Sequence, residues 1–368
     1  MTQRTKPPFR ADHVGSLLRP AALKAAREAR AKGEIGAAEL KAVEDREIKD
    51  VIKKQEAAGL QSITDGEFRR SWWHLDFLWG LDGVERHVMD TGIAFAAVTT
   101  RNEGVKVTGK LGFSGHPMIQ HFKFVKANTS RTPKLTIPAP SALYGRPLPT
   151  PIDKSIYPKL DRFFDDLGQA YRRAVRAFAD AGCRYLQLDE VFIAMLCDPK
   201  YRQQMKDRGD DPQALGTIYG DLINVAISDI PSDMTVTMHL CRGNYKSTFM
   251  GAGGYEAMQE VLFDRIKVHG YFMEYDTARA GGFEPLQFFP KGKKQLVLGL
   301  VTSKTSTLEN KDEIKRRIDE ATKYVALDQL CLSPQCGFAS TEEGNILAEE
   351  EQWAKLRMIV EIAEEVWK

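Results

Sequence analysis

The sequence MTVTMHLC (residues 234–241) has the pattern of a buried β-strand, because β-branched and apolar residues fill it without an interrupting turn residue. Four further segments have the same character, namely CRYLQLDE, GYFMEYDT, QLVLGLVTS and DQLCLSP. Helical patterns lie between or after these strands, at about residues 154–181, 212–229, 254–267, 309–325 and 345–368. Strands that alternate with helices in this way are expected to pair in parallel.

Three earlier segments, near ADHVGSL, QSITDGE and LTIP, raise the number of predicted strands to eight. Eight alternating units predict an α/β fold of the (β/α)8 or TIM-barrel type, as a single domain over residues 1–368. An N-terminal helical segment is expected at about residues 20–58. Alternating residues from about 86 to 130 predict an antiparallel β-hairpin inserted between strands 2 and 3.

The composition favours a small-molecule partner. Lysine and arginine total 52 and aspartate and glutamate total 50, so the net charge of +2 gives no reason to expect nucleic acid or an anionic membrane. The N-terminal segment MTQRTKPPFR is polar, and no apolar run reaches the ~18 residues of a membrane span, so a cytoplasmic protein is expected. Five scattered cysteines fit a reducing compartment. A homo-oligomer is compatible with this composition.

Four residues with metal-binding side chains lie at predicted strand ends, where barrel enzymes carry their active sites. His239 and Cys241 share one face of their strand, and the same alternation places Glu274 near the barrel mouth. Cys336 follows the eighth strand and can complete a tetrahedral site. Taken singly, such residues are more often structural, and Cys183, Cys197 and Cys331 keep that interpretation; the four together predict a zinc site.

A zinc ion with two thiolate ligands and one carboxylate ligand is electron-rich, which makes it a poor activator of water. It suits sulfur chemistry better, because a thiol bound to zinc is deprotonated outright, whereas a free thiol with a pKa of about 8.5 is mostly protonated at neutral pH. The predicted site therefore favours alkylation of a small thiol.

Six blocks in order along the chain resemble the catalytic half of cobalamin-independent methionine synthase: HVGSLLRP, ITDGEFRRSWW, LQLDE, HLC, FMEYDT and SPQCGF. That family folds as a barrel, binds zinc and transfers a methyl group from a folate to homocysteine. The resemblance implies that His239, Cys241, Glu274 and Cys336 hold the zinc. Ser16 would contact the homocysteine carboxylate, and Glu67 and Asp189 would pair with its ammonium group.

Full-length enzymes of the family carry a second, N-terminal barrel that helps to hold the folate, and 368 residues leave no room for one. The methyl donor is therefore open, as a folate or another molecule. The segment SWWHLDFLWG includes Trp72 and Trp73, which can form a flat apolar wall for a donor or can pack on the barrel rim. Asp189, Glu190 and His74 are candidates for the catalytic acid.

The function expected first is a zinc-dependent S-methyltransferase that makes methionine from homocysteine. An alternative keeps the zinc and changes the substrates, adding another thiol to an epoxide or taking methyl from an aromatic ether or a corrinoid carrier. A non-catalytic thiol-binding protein is a further alternative, and it predicts tight thiol binding without an alkylated product.

Overall fold

A six-stranded parallel sheet forms the centre of the protein in the computed structural model, which describes residues 4–368. The strands are β1 (Ser62–Ile63), β2 (Asp82–Val88), β3 (Glu103–Gly112), β4 (Thr132–Pro133), β5 (Leu135–Pro138), β6 (Tyr185–Glu190), β7 (Thr235–Leu240), β8 (Gly270–Glu274), β9 (Gln295–Val301) and β10 (Leu330–Pro334). The sheet order is β5-β6-β7-β8-β9-β10, so each strand lies beside the next strand in the sequence. The predicted parallel pairing of these strands is confirmed.

Helices follow most of these strands and cover the sheet. They are α1 (Ala21–Ala31), α2 (Ala37–Ala57), α3 (Leu75–Leu78), α4 (Met118–Asn128), α5 (Leu160–Asp180), α6 (Phe192–Met195), α7 (Pro199–Asp207), α8 (Pro212–Ala226), α9 (Lys311–Thr322) and α10 (Glu349–Val366). The helix expected near residues 254–267 is only a pair of short turns, a 3-10 turn at Glu256–Met258 and a π-turn at Val261–Arg265. The fold is therefore mixed α/β, and the six strands of the central sheet are buried almost throughout.

The insertion after β1 is partly a hairpin and partly a helix. Strands β2 and β3 pair antiparallel, as predicted. The prediction that the alternating pattern continues to residue 130 is wrong, because HFKFVKA belongs to helix α4. Met118, Phe122 and Val125 are its buried side chains, and their spacing is that of one helical face. Phe122 and Phe124 are two positions apart, which is also the spacing of residues on one face of a strand.

The N-terminal part of the chain joins the sheet through short contacts. Ala11 forms a parallel bridge with Leu332 of β10, and β1 forms a two-residue parallel ladder with β4. The predicted helical segment is confirmed as two helices, α1 and α2. Within residues 4–368, no helix has the length and apolar character needed to cross a membrane.

A buried ion pair connects these N-terminal residues to the sheet. The Nζ atom of Lys134 lies 3.2 Å from an Asp12 carboxylate oxygen, and both side chains are fully buried. Asp12 also accepts hydrogen bonds from Ser62 Oγ (2.7 Å) and from the Tyr185 hydroxyl (2.8 Å). One carboxylate thus links residues from four separate segments of the chain, and its charge depends on Lys134.

Replacing Lys134 with methionine should lower the free energy of unfolding by about 3–5 kcal/mol, because the Asp12 carboxylate would remain buried without its cation. Denaturant unfolding at neutral pH would measure the change. Lys32→Met provides the control, because Lys32 is the exposed C-cap residue of α1 and pairs with Glu28 of the same helix. This substitution should leave the free energy of unfolding nearly unchanged. Equal effects of the two substitutions would contradict the structural role of the buried pair.

Candidate metal centre and substrate cavity

Four buried side chains meet at the carboxyl ends of the parallel strands. His239 lies near the end of β7 and Cys241 just after it, Glu274 is the last residue of β8, and Cys336 follows β10. One ligand atom from each of these residues lies within 4.8 Å of all the others. The parallel register brings the residues together, because it aligns the ends of neighbouring strands at one edge of the sheet.

The cluster fits a tetrahedral zinc ion. The sulfur atoms of Cys241 and Cys336 are 3.5 Å apart, close to the about 3.7 Å expected for two thiolates bound to tetrahedral zinc at bonds of about 2.3 Å. Both ring nitrogens of His239 are buried without a hydrogen-bond partner among residues 4–368. A buried imidazole is normally hydrogen-bonded, so an unpartnered one beside two thiols fits the role of a metal ligand.

The Glu274 carboxylate is held in place from outside the cluster. It accepts hydrogen bonds from the Arg242 backbone N–H (2.9 Å) and from the Arg279 guanidinium (2.9 Å). Burial is the largest single influence and acts to raise the pKa of Glu274, but Lys304, Arg279, Arg242 and a backbone hydrogen bond together outweigh it, and the pKa is lowered. Glu274 is therefore an oriented anion, as a metal ligand must be.

Glu67 lies on one wall of the cavity next to this cluster. One of its carboxylate oxygens accepts a hydrogen bond from Thr136 Oγ1 (2.8 Å), and Arg70 lies 3.4 Å away. The other oxygen is buried and accepts no hydrogen bond within the described part of the chain. The backbone φ of 62° is unusual for a residue other than glycine and carries strain, which is often found where a side chain must be aimed at a ligand.

Asp189 and Ser16 line the same wall. Asp189 accepts a hydrogen bond from Gln187 Nε2 (2.7 Å), and burial raises the pKa of Asp189 to about 7. An ammonium group bound beside it would favour its ionised form. Ser16 Oγ accepts a 3.4 Å hydrogen bond from the Ala339 N–H. Glycine is required at position 337, since a Cβ there would lie 1.9 Å from Ser16 Oγ.

The structure does not bring the Glu190 carboxylate into the cavity. It accepts hydrogen bonds from the backbone N–H groups of Phe192 and Ile193 and from Ser141 Oγ (2.6 Å). Neighbouring residues in a strand point to opposite faces, so Asp189 reaches the cavity and Glu190 reaches the surrounding helices. Glu190 thus serves to cap the loop after β6, and the expectation of a catalytic acid at this position has no geometric support.

The aromatic residues of the SWWH segment form part of the cavity wall. The Trp73 and His74 rings lie 4.5 Å apart at 30°, and the Trp72 ring meets His74 edge-on at 5.9 Å. Trp72 Nε1 donates a 2.8 Å hydrogen bond to Glu103. Burial, with a smaller effect of Arg146, holds the pKa of His74 well below its usual value. His74 is therefore neutral at neutral pH, which argues against it as a resident proton donor.

The space between atoms in this cavity is about 750 Å³, which includes open solvent. Several of its lining residues were not anticipated from the sequence. Ile93, Phe95 and Thr100 come from the hairpin connection, and Asn244 and Tyr245 follow the strand that carries His239. Asn244 lies three residues after Cys241, but this spacing carried no signal of its own.

The other three cysteines keep the structural interpretation. Cys183, Cys197 and Cys331 are buried away from the cluster, and burial raises the pKa of each thiol to about 12. They are therefore uncharged at neutral pH, and none of them belongs to the four-residue cluster.

Comparisons with known proteins identify the family of this chain and agree with its mixed α/β fold. The sequence model of the family described as cobalamin-independent synthase, catalytic domain, matches residues 9–365. An uncharacterized Bacillus subtilis protein, YxjH, is 50% identical over 367 residues, which cover 100% of this chain and 97% of that protein. A methionine synthase from Pyrococcus furiosus is 26% identical, with 88% of this chain and 84% of that protein covered. A Listeria monocytogenes structure, provisionally named a vitamin-B12-independent methionine synthase, is 43% identical with a TM-score of 0.79, covering 99% of this chain and 100% of that one.

The purified protein should contain about one zinc per chain, because the four donor atoms form one complete tetrahedral set. His239→Ala and Cys336→Ala should lose the metal while the chain stays folded. Elemental analysis by mass spectrometry, together with circular dichroism, would measure both properties. Cys183→Ala is the matched control and should keep its zinc. Full zinc content in both ligand variants would refute the ligand set.

Proposed function

This chain belongs to the family of cobalamin-independent synthase catalytic domains, and on that premise we propose that it is a thiol methyltransferase that converts homocysteine to methionine. The observation that carries the proposal is that three residues of the cluster, His239, Cys241 and Cys336, line the same cavity as the carboxylates of Glu67 and Asp189. A site for a thiol and a site for an amino group are thus present in one cavity.

The cluster His239, Cys241, Glu274 and Cys336 would hold the zinc ion. When bound, zinc supplies a deprotonated, nucleophilic substrate thiol at neutral pH. The residues around the cluster exclude water and orient the carboxylate, since all four ligands are buried. Arg242 and Arg279 keep the Glu274 carboxylate in its position through hydrogen bonds.

The amino-acid part of homocysteine fits the wall formed by Ser16, Glu67 and Asp189. Its ammonium group would satisfy the unpartnered Glu67 oxygen and contact Asp189, and its carboxylate would accept a hydrogen bond from Ser16. These contacts hold the substrate at two points, which places the sulfur beside the metal cluster. Fixed placement of the reacting sulfur lowers the barrier because orientation is established before reaction.

We further infer that the chain forms one domain whose strands close into a (β/α)8 barrel. The Asp12 N–H donates to the Leu332 carbonyl (3.0 Å), and the Lys134 N–H donates to the Ile63 carbonyl (2.8 Å). Between these two contacts, the Asp12 carboxylate accepts the Ser62 hydroxyl hydrogen bond. Backbone and side-chain hydrogen bonds therefore bridge the gap between the two edges of the six-stranded sheet, which supports a closed arrangement.

Other thiols are less compatible with the cavity. A sulfonate thiol would require cationic partners, whereas the cavity lining presents the carboxylates of Glu67 and Asp189. A role as a thiol-binding protein without catalysis predicts that bound homocysteine is never alkylated. The identity of the methyl donor is a separate question, because the contacts of homocysteine with Ser16, Glu67 and Asp189 do not depend on it.

Zinc-loaded protein given homocysteine and a panel of methyl donors should form methionine, detected by mass spectrometry. The panel comprises mono- and polyglutamyl 5-methyltetrahydrofolate and methylcobalamin. Cys336→Ala should abolish product formation, and Cys183→Ala should retain it. Tight homocysteine binding with no methionine from any donor would support the non-catalytic alternative.

Glu67→Gln should weaken homocysteine binding by about 1–3 kcal/mol, because the substrate ammonium loses a buried anionic acceptor. Isothermal titration calorimetry on the zinc-loaded protein would measure the loss. The control is Glu85→Gln, because Glu85 lies on the exposed face of β2 and pairs with Lys106 there. Wild-type protein should also prefer homocysteine over 2-mercaptoethanesulfonate; the opposite preference would show that the acidic wall does not select the thiol.

A further inference from the structure

Glu67 belongs to a turn in which two successive residues have an unusual backbone conformation. Gly66 has a φ of 66° and Glu67 a φ of 62°, both in the left-handed region. Glycine adopts this region freely, whereas a residue with a Cβ atom adopts it only at a cost in free energy. Such a conformation persists where the surrounding contacts hold it, so the contacts of Glu67 decide where its carboxylate points.

The backbone of Glu67 is held on both sides. Its N–H donates a 2.9 Å hydrogen bond to Asp65 Oδ1. Its carbonyl accepts a 2.8 Å hydrogen bond from Nη2 of Arg19, and the same nitrogen donates to the Arg70 carbonyl (3.2 Å). Asp65 lies in the same turn, whereas Arg19 comes from a segment 48 residues earlier in the chain. The turn is therefore fixed to a separate part of the structure.

The second terminal nitrogen of the Arg19 guanidinium makes two further contacts. Nη1 donates to the Ala339 carbonyl (2.6 Å) and to the Leu17 carbonyl (3.1 Å). Ala339 is three residues after Cys336, one of the four metal-binding residues, and Leu17 follows Ser16. One buried side chain thus joins the strained turn to the segment that carries a metal ligand.

The segment of Ser16 has attachments of its own. The Phe338 N–H donates to the Ser16 carbonyl (3.0 Å), and the Ala339 N–H donates to Ser16 Oγ (3.4 Å). Neither bond involves the side chain of Arg19. Loss of the Arg19 guanidinium should therefore affect the position of Glu67 more than that of Ser16.

A lysine at position 19 could not make the same connection. Arginine presents its donors in a planar fork, so its two terminal nitrogens reach carbonyls in different directions, whereas an ammonium group is a single point at the end of a flexible stem. Burial lowers the pKa of Arg19 to about 10, so the guanidinium is still protonated at neutral pH. Arg19→Lys therefore keeps the charge and removes the bridge.

We propose that Arg19 is the positioning residue of the amino-acid subsite. Together with Asp65 it keeps Glu67 in the strained conformation, and through its bond to Ala339 it holds the Glu67 carboxylate at a set distance from the metal cluster. This inference rests on the proposed function. Because Arg19 acts through Glu67, it should affect recognition of the substrate ammonium group and not binding of the thiol.

The test compares two thiols that differ only in the ammonium group, homocysteine and 4-mercaptobutanoate. Isothermal titration calorimetry on zinc-loaded protein would measure the affinity for each. Arg19→Lys should weaken homocysteine binding by about 10-fold, because the Glu67 carboxylate would no longer be held in place. It should change the affinity for 4-mercaptobutanoate by less than about 2-fold, because that thiol has no group for Glu67 to bind.

Arg10→Lys is the matched control. The Arg10 guanidinium also donates to two carbonyls, those of Leu330 (2.6 Å) and Asp328 (3.1 Å). These lie at the start of β10, at the opposite end of that strand from Cys336, so both affinities should stay unchanged. Zinc content and the midpoint of thermal unfolding, measured on every variant, show whether the protein is intact.

A double-mutant cycle with Glu67→Ala tests whether Arg19 acts through Glu67. In the Glu67→Ala background, Arg19→Lys should weaken homocysteine binding by less than about 2-fold, since the carboxylate that it positions is gone. The same factor in both backgrounds would mean a general loosening of the cavity and would overturn the proposal.

The outcomes separate this inference from the proposed function. If wild-type protein binds homocysteine no more tightly than 4-mercaptobutanoate, the ammonium subsite of the proposed function fails, and this inference fails with it. If wild-type protein prefers homocysteine but Arg19→Lys weakens the binding of both thiols alike, or of neither, only the role of Arg19 is overturned. Should Arg19→Lys not fold, Asp65→Ala removes the other bond to the Glu67 backbone. Selective weakening of homocysteine binding in that variant supports the proposal, and any other result overturns it.

Discussion

Two thiols, an imidazole and a carboxylate lie within 4.8 Å of one another and are buried, and the rest of the site depends on this arrangement. Burying such groups is costly unless cations or hydrogen bonds compensate them. Arg242 and Arg279 supply that compensation for the carboxylate. Both ring nitrogens of His239 lack a hydrogen-bond partner among residues 4–368, and a bound cation would compensate the imidazole and the two thiols. The parallel register of the sheet makes the cluster possible, since it brings the ends of β7, β8 and β10 to one edge.

The cavity beside the cluster is lined by groups of two kinds, the carboxylates of Glu67 and Asp189 and apolar residues such as Ile93, Phe95 and Met250. His239, Cys241 and Cys336 line the same cavity, so a substrate sulfur bound there would lie beside the proposed metal site. Methyl transfer requires alignment of this sulfur with the methyl group, which binding in one cavity can provide. The connection between β2 and β3 contributes part of the lining.

Different features of this protein were accessible to sequence reasoning to different degrees. The strands and the metal-binding residues were predicted because strand periodicity is local and has a repeat of two residues. The same periodicity misled at HFKFVKA, where aromatic residues two apart belong to helix α4, whose buried side chains follow a helical spacing. Glu190 was grouped with Asp189 because both end the same strand, yet adjacent strand residues face opposite ways, and its carboxylate caps the following loop.

Local pattern was therefore sufficient to identify the order of strands and helices, the pair His239 and Cys241 on one strand face, and the acidic residues near the strand ends. The family resemblance implied the same four ligands and supplied the expected roles of Ser16, Glu67 and Asp189. The assembled fold was needed to place the hairpin tip over the cavity and to leave the Asn244 oxygen without a partner. Those features arise from contacts between residues far apart in the chain, such as Asn244 with Gly337, and such contacts leave no periodic signal in the amino-acid order.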